Sequence, residues 1–300
     1  MYYKNPFEDL DKIFKRNMTY YCKITREKIS YKDYLCKYSD TLENAIKENK
    51  LPDEQVKTYQ WANIDTVVRL NALNNEQITP RFFITDNNLV EFLSTMPVKN
   101  MSYLEKEWED TALYIYLPNT SYFVCLETYG NDKSKVIVIK KVDERTRMYP
   151  VDNLDNPKCV FDFIKQDERK AINRNKNDRA NIKARSQKAR EEISLCINTL
   201  FYTIAFPESV KEGCPSNIAK DQKREFKQNQ FQTKTLCVDE RVVASRNGVT
   251  PHFRSGYFRH YMSDKYVNVK GTIQFIEATF VKGKAYTIEQ AKELKLNETI

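Results

Sequence analysis

The chain has 300 residues, 41% of them hydrophobic and 12% aromatic, the composition of one large folded domain or two modest ones, which excludes wholesale disorder. Forty-nine basic against forty-one acidic residues leave a formal charge of +8, a moderate excess that matters only where it is concentrated. No apolar run approaches a bilayer span, and Met1-Tyr2-Tyr3-Lys4-Asn5-Pro6 lacks the apolar core of a secretory signal, so a cytoplasmic protein is expected.

The first third reads as helical. Phe7, Leu10, Ile13 and Phe14 recur at helix-face spacing behind Pro6, which suits the opening of a helix over Pro6 to Arg16. Thr41 to Lys50 and Asp53 to Leu73 follow the same pattern. Arg81 to Thr85 reads as a strand, and Asn88 to Ser94 and Ser102 to Asp110 as helices, the latter with Ser102 as its cap. The period then changes to two. Ala112 to Leu117, Tyr122 to Thr128 and Val136 to Val142, separated by Pro118-Asn119 and Tyr129-Gly130-Asn131-Asp132, form a three-stranded meander whose short links require antiparallel strands.

Phe161 to Phe206 is the longest helical candidate. Ile193, Ile197, Leu200, Phe201 and Ile204 should bury one face, whereas Asn173 to Lys188 offers only Ala180, Ile182 and Ala184 to a core, so that part is expected as an exposed helix or a mobile insertion. Four of the six glycines fall in the last quarter with aromatic and β-branched residues, which predicts strands and tight turns. A change of phase between Ile273 and Phe280 is expected to mark a bulge near Phe275, and Thr287 to cap a short terminal helix. The expected fold is α+β: a mostly helical region over 1–110, then an α+β domain over 111–300 with an antiparallel meander, a long central helix, C-terminal antiparallel strands and a basic insertion at about 165–190.

Residues 250–262, TPHFRSGYFRHYM, hold both histidines of the chain, two arginines, one glycine and four rings without an acid. Two histidines beside two arginines are the components of metal-independent phosphodiester cleavage, so a ribonuclease using His252 and His260 is one reading. In an uninterrupted strand the two imidazoles would stand about 26 Å apart; a shared site requires a turn at Ser255-Gly256. Metal binding is disfavoured, because only Asp264 is near as a further ligand, and no cofactor is expected. The binding reading demands less. His252, Arg254, Phe258 and His260 on one face, with Phe253, Tyr257, Arg259 and Tyr261 on the other, could clasp an extended peptide, an anion or a base. Packing of an aromatic strand is the structural alternative.

Between Lys165 and Arg190 there are ten basic and three acidic residues. Arg174, Arg179, Lys183, Arg185, Lys188 and Arg190 are the candidates for contact with RNA or a ribosome, against the plainer reading of a solvated face. Seven cysteines (Cys22, Cys36, Cys125, Cys159, Cys196, Cys214, Cys237), never in a Cys-x-x-Cys pair, read as thiols rather than as disulfide or zinc partners. No phosphate-cradling glycine loop, nucleophile elbow or paired catalytic carboxylates occur in the sequence, so a non-enzymatic role is expected.

Val238-Asp239-Glu240-Arg241-Val242-Val243, Pro251-His252-Phe253-Arg254 with Phe258-Arg259-His260, and Ile273-Gln274-Phe275-Ile276 with Phe280-Val281 resemble a family of phage- and plasmid-borne proteins that includes a type V-A anti-CRISPR protein. Ile197 to Tyr202 fits the family's Leu-rich helix upstream. Where the family has a His-Trp pair this chain has Tyr257-Phe258, and Phe275 or Ile276 stands where the family has a tryptophan. The resemblance implies a non-enzymatic inhibitor that recognises the nascent N-terminal peptide of a type V-A Cas effector and lowers its production. The partner-contacting residues would be His252, Phe253, Arg254, Tyr257, Phe258, Arg259, His260 and Tyr261.

Overall fold

A computed structural model describes residues 2–48, 53–76, 78–98, 112–129, 134–151, 158–220, 222, 223, 226, 232–239, 253, 254, 256–277, 279 and 280. Among them, α1 spans Glu8–Thr25, α2 Tyr31–Lys47, α3 Asp53–Asn74, β1 Arg81–Ile84, α4 Asn87–Thr95, β2 Ala112–Tyr116, β3 Ser121–Tyr129, β4 Ser134–Lys141 and β5 Arg147–Val151. Then come α5 Lys158–Arg174, α6 Arg179–Ala205, β6 Val210–Glu212, β7 Thr233–Leu236, β8 Phe253–Arg254, β9 Tyr257–His260, β10 Ile273–Ile276 and β11 Thr279–Phe280. The fold is α+β. By its internal contacts the chain divides into two units, residues 1–83, 108–149 and 212–234, and residues 84–107, 150–211 and 235–300.

In the first unit, local chemistry sets the helix ends. Asn5 Oδ1 accepts from Phe7 N at 2.9 Å just before α1. Helix α1 runs well beyond Arg16, to a left-handed Arg26 (φ 63°) whose N–H closes on Cys22 O. Helix α2 begins ten residues earlier than the apolar spacing predicts, because Ser30 accepts from Asp33 N and donates to Asp33 Oδ2 at 2.5 Å, a reciprocal cap in Ser-x-x-Asp form. Phe14, Tyr34 and Leu35 make a small core with Leu10, Leu70 and Leu73. Tyr114, Tyr116, Phe123, Val136 and Val138 share one face of β2, β3 and β4 and pack with Tyr3, Phe7, Val68 and Phe83. Arg69 crosses this layer buried, and one edge of its guanidinium, Nε and Nη2, donates to the two oxygens of Asp11, both at 2.7 Å.

The meander is as expected. β2 pairs antiparallel with β3 (Tyr114 opposite Phe123) and β3 with β4 (Val124 opposite Ile139). They belong to a seven-stranded sheet ordered β5-β4-β3-β2-β1-β7-β6. β1 pairs with β2 in parallel, Arg81 opposite Tyr114, which makes the sheet mixed and requires a crossover between Ile84 and Ala112; α4 is its described part. All five residues of β2 are buried, the continuous apolar signature of a strand covered on both faces.

In the second unit the 161–206 stretch is two helices, not one. Asn175 leaves helical geometry (φ −142°, ψ 85°), a short 3-10 turn follows over Lys176–Asp178, and α6 returns along α5. Arg190 Nη2 meets Glu168 Oε2 at 3.0 Å, whereas in one straight helix those residues would lie about 33 Å apart. The basic segment is therefore the ordered tip of a helical hairpin. Further along, α6 is buried all round from Glu192 to Thr199 rather than on one face, because α4 packs on it as well. Asn198, fully buried, donates from Nδ2 to Leu93 O and Met96 O, both at 2.9 Å. The helices expected over Ser102–Asp110 and after Thr287 lie outside the described residues. No described helix is long and apolar enough to cross a membrane, and no disulfide forms among the described cysteines.

Two buried phenols predict how the protein responds to base. Burial pushes Tyr114 up to about 12 despite the opposing Arg69 cation, and burial does the same to Tyr202, up to about 12, against the lowering bond from Asp239 N. Both folded values exceed the ordinary 10.0, so the stability that neutral phenols contribute is complete below pH 10 and disappears as pH rises through 12. Urea unfolding should thus give a constant midpoint up to about pH 10 and a steep fall above it; a midpoint unchanged at pH 12 would contradict the burial of both hydroxyls.

Candidate functional site

The C-terminal strands form two short antiparallel ladders, β9 with β10 and β8 with β11. Arg254 lies opposite Thr279 and Tyr257 opposite Ile276. The register of β10 on β9 runs without an extra residue from Ile273 opposite His260 to Ile276 opposite Tyr257, so the bulge expected near Phe275 is absent from this ladder. The turn that a shared His252–His260 site requires would fall at Ser255-Gly256, and Ser255 lies outside the described residues, as do His252 and the side chains of Phe253 and Arg254, whose backbones make β8.

Which face of β9 turns inward follows from what packs on it. Phe258, 2% exposed, sits in an aromatic cluster with Phe201 and Phe206 (ring centroids 6.1 Å) and Phe275 (5.6 Å). Phe275 in turn meets Phe92 at 5.6 Å and Phe206 at 5.4 Å. His260 shares that face by strand alternation and is 8% exposed. Tyr257 is buried as well, at 7%. A Cβ on Gly256 would come within 2.7 Å of Phe275 Cζ, which explains glycine at that point of the strand. Phe258, His260 and Tyr257 are thus parts of the interior, not of a surface that a visitor could meet.

Arg259 and Tyr261 are different. Both are half-buried on the opposite face. The Arg259 guanidinium carbon lies 4.9 Å from the ring centroids of both Tyr261 and Tyr266, and Nη2 donates to Tyr266 Oη at 2.6 Å. The two rings meet edge to face at 4.8 Å. No carboxylate among the described residues pairs with Arg259; the nearby Asp264 is held by Lys270. The connecting loop closes through Gly271 (φ 83°), whose N–H donates to Tyr261 O at 2.7 Å, and through Tyr261 N to Thr272 O at 3.0 Å. It leaves Met262 43% and Val267 80% exposed. A cation oriented by two rings, its remaining N–H groups unspent among the described residues, can hold a carboxylate or backbone carbonyl while the apolar side chains beside it meet side chains of a partner. Tyr266, Met262 and Val267 were not marked by the sequence; a tyrosine and three apolar residues, Met262, Val267 and Val269, in a short loop were the only signal.

The basic residues divide as well. Arg174, Arg179, Lys183, Arg185 and Lys188 are exposed on the helical hairpin. Arg185 pairs with Asp178 at 2.7 Å, and Arg190 is half-buried against Glu168. The Arg190–Glu168 pair links α5 to α6, whereas Arg185–Asp178 ties α6 to the turn before it; the fold-back leaves a cleft of about 360 Å³ lined by Asp167, Glu168, Arg174, Asp178 and Arg185. No three His, Cys, Asp or Glu side chains among the described residues gather as metal ligands would.

The geometry defines an α+β chain with a half-exposed arginine–tyrosine cluster and a cationic helical hairpin. No protein-family model and no curated protein matches the sequence. Among solved structures, the crystal structure of AcrVA2 is similar over 91% of this chain and 94% of its own, with 11% sequence identity and a TM-score of 0.42.

Proposed function

We propose that this chain is a non-enzymatic, anti-CRISPR-like binding protein of a mobile element. In this reading it acts in the cytoplasm, holds an extended segment of another protein, the nascent N-terminal peptide of a type V-A Cas effector, and lowers that effector's production. The partner's identity rests on the sequence resemblance over Val238–Val243, Pro251–His260 and Ile273–Val281. The contact surface rests on one observation: Arg259, held between Tyr261 and Tyr266, has no carboxylate partner among the described residues and stands beside exposed Met262 and Val267. Extended peptides offer backbone carbonyls that an oriented guanidinium can bind, and rings and aliphatic side chains supply the desolvated contact that carries most affinity.

The test uses a synthetic peptide of the effector's N-terminus in a direct binding assay. Arg259→Ala combined with Tyr266→Ala should weaken capture by roughly 30-fold or more, the loss typical of about 2 kcal/mol at a hot spot. Lys270→Ala, which removes only an exposed ion pair with Asp264, should leave capture unchanged. Undiminished capture by the double variant would reject this surface.

A further inference from the structure

The helical hairpin of α5 and α6 carries a charge that its own packing does not use. Glu168 and Asp178 are spent on Arg190 and Arg185. Lys165, Arg169, Lys170 and Arg174 on α5, with Arg179 and Lys183 on α6, are all exposed, and none of the six makes an ion pair or side-chain hydrogen bond among the described residues. Each helix spaces its cations over a turn or more; Lys165 to Arg174 spans about 13 Å at about 1.5 Å per residue. Like charges held on rigid helices repel one another, and the exposed acids Asp162 and Asp167 on α5 offset only part of that repulsion.

The chemistry of the face narrows what it could take. From Asn173 to Lys188 the apolar side chains are Ala180, Ile182 and Ala184, and Ile182 is buried. That stretch has nothing to insert into an acyl layer, as a membrane-surface helix needs; the hairpin's one exposed large apolar side chain among the described residues, Phe163 at 42%, two residues before Lys165 on α5, is a single ring and not the clustered anchors of a protein interface. A polyanion recognised chiefly by its charge is what this face suits, and an isolated ring among cations can stack on an unpaired base. Four exposed asparagines, Asn173, Asn175, Asn177 and Asn181, surround the tip, and Asn181 donates from Nδ2 to Asp178 Oδ1 at 2.6 Å; the amides of the other three can both donate and accept, whereas phosphate only accepts. Groups that do both suit 2′-hydroxyls and the edges of unpaired bases.

From this we infer that the α5–α6 hairpin is an RNA-binding arm, which grips the phosphates of single-stranded RNA with Lys165, Arg169, Lys170, Arg174, Arg179 and Lys183. It is a second site, separate from the Arg259 cluster and independent of the peptide reading.

The test measures binding of the full chain to a labelled, unstructured RNA oligonucleotide and to DNA of the same sequence, across a series of salt concentrations. Lys170→Gln, Arg174→Gln, Arg179→Gln and Lys183→Gln together keep helix-forming side chains and should cost at least about tenfold in RNA affinity. Removing four phosphate contacts should also lower the slope of log affinity against log salt by about 3. A control with the same loss of charge at exposed positions, Lys23→Gln, Lys28→Gln, Lys32→Gln and Lys57→Gln, should keep wild-type affinity and slope. Circular dichroism and urea midpoints establish that both variants are folded. Three results would each overturn the inference: no RNA binding by the wild-type chain, equal loss in the two variants, or DNA bound as tightly as RNA.

Discussion

Asp11→Ala is expected to destabilise the chain by about 3–5 kcal/mol, the cost of leaving a buried cation without its counter-charge. Arg69 is 5% exposed, and its Nε and Nη2 each donate to a different oxygen of Asp11 at 2.7 Å. Tyr31 Oη adds a bond to the same carboxylate at 2.8 Å, and the guanidinium lies 4.8 Å from the Phe7 ring centroid. Burial alone would pull Arg69 below its ordinary value, but the bonds and charge of Asp11 outweigh it and the net direction is upward. Removing Asp11 takes away the compensation and keeps the burial. The control is the apolar replacement of both partners, Asp11→Leu with Arg69→Met, which should recover most of the loss because neither charge then has to be desolvated. Urea unfolding of the single and double variants measures both. A single variant within about 1 kcal/mol of wild type would show that water reaches Arg69.

In the second unit the sharpest change is Asn198→Asp, which alters hydrogen-bond chemistry at nearly constant shape. The Nδ2 group serves two carbonyls at the end of α4, Leu93 O and Met96 O, which a helix terminus leaves without intrahelical donors. Replacing the amide nitrogen with oxygen sets a carboxylate against two carbonyl oxygens inside a fully buried site. The variant can keep one of the two bonds only by taking up a proton. Its folded-state pKa is therefore raised above the unfolded value of about 4, so the variant lies nearest wild type below that pH and loses ground as pH rises through neutrality. At neutral pH the loss should be about 3 kcal/mol or more. Asn198→Ala, which abandons both carbonyls without adding charge, should cost about 2–4 kcal/mol and show no such pH dependence. Thermal or urea unfolding at two pH values distinguishes them, and a pH-independent deficit in Asn198→Asp would mean that the site admits water.

Local chemistry made much of this fold legible. The meander strands were legible because their apolar and β-branched runs are punctuated by Pro118-Asn119 and Tyr129-Gly130-Asn131-Asp132, and pairing across such short links leaves one arrangement. Helices α1, α3 and α4 followed from apolar spacing, and the cap of α2 was present as Ser30-Tyr31-Lys32-Asp33 though apolar spacing alone placed the start too late. The break at Asn175 had a local signal that apolar spacing overlooks, the poor helix formers of Asn173-Arg174-Asn175-Lys176-Asn177-Asp178, but the return of the chain along α5 depends on the docking of α6, which spacing does not encode. Parallel pairing of β1 with β2 was hidden for a similar reason: it depends on a crossover, not on the residues of either strand.

At the candidate site, sequence by itself established that residues 252–261 concentrate rings and cations on an alternating strand, and that 165–190 is cationic with little to bury. Alternation fixes which side chains share a face but not which face meets the core. That choice was made by Phe92, Phe201 and Phe206, distant in sequence, which close over Phe258 and Phe275, drawing His260 inward with Phe258 and leaving Arg259 to Tyr261 and Tyr266. Burial is a property of what packs against a strand, and for this strand only the tertiary structure supplies it.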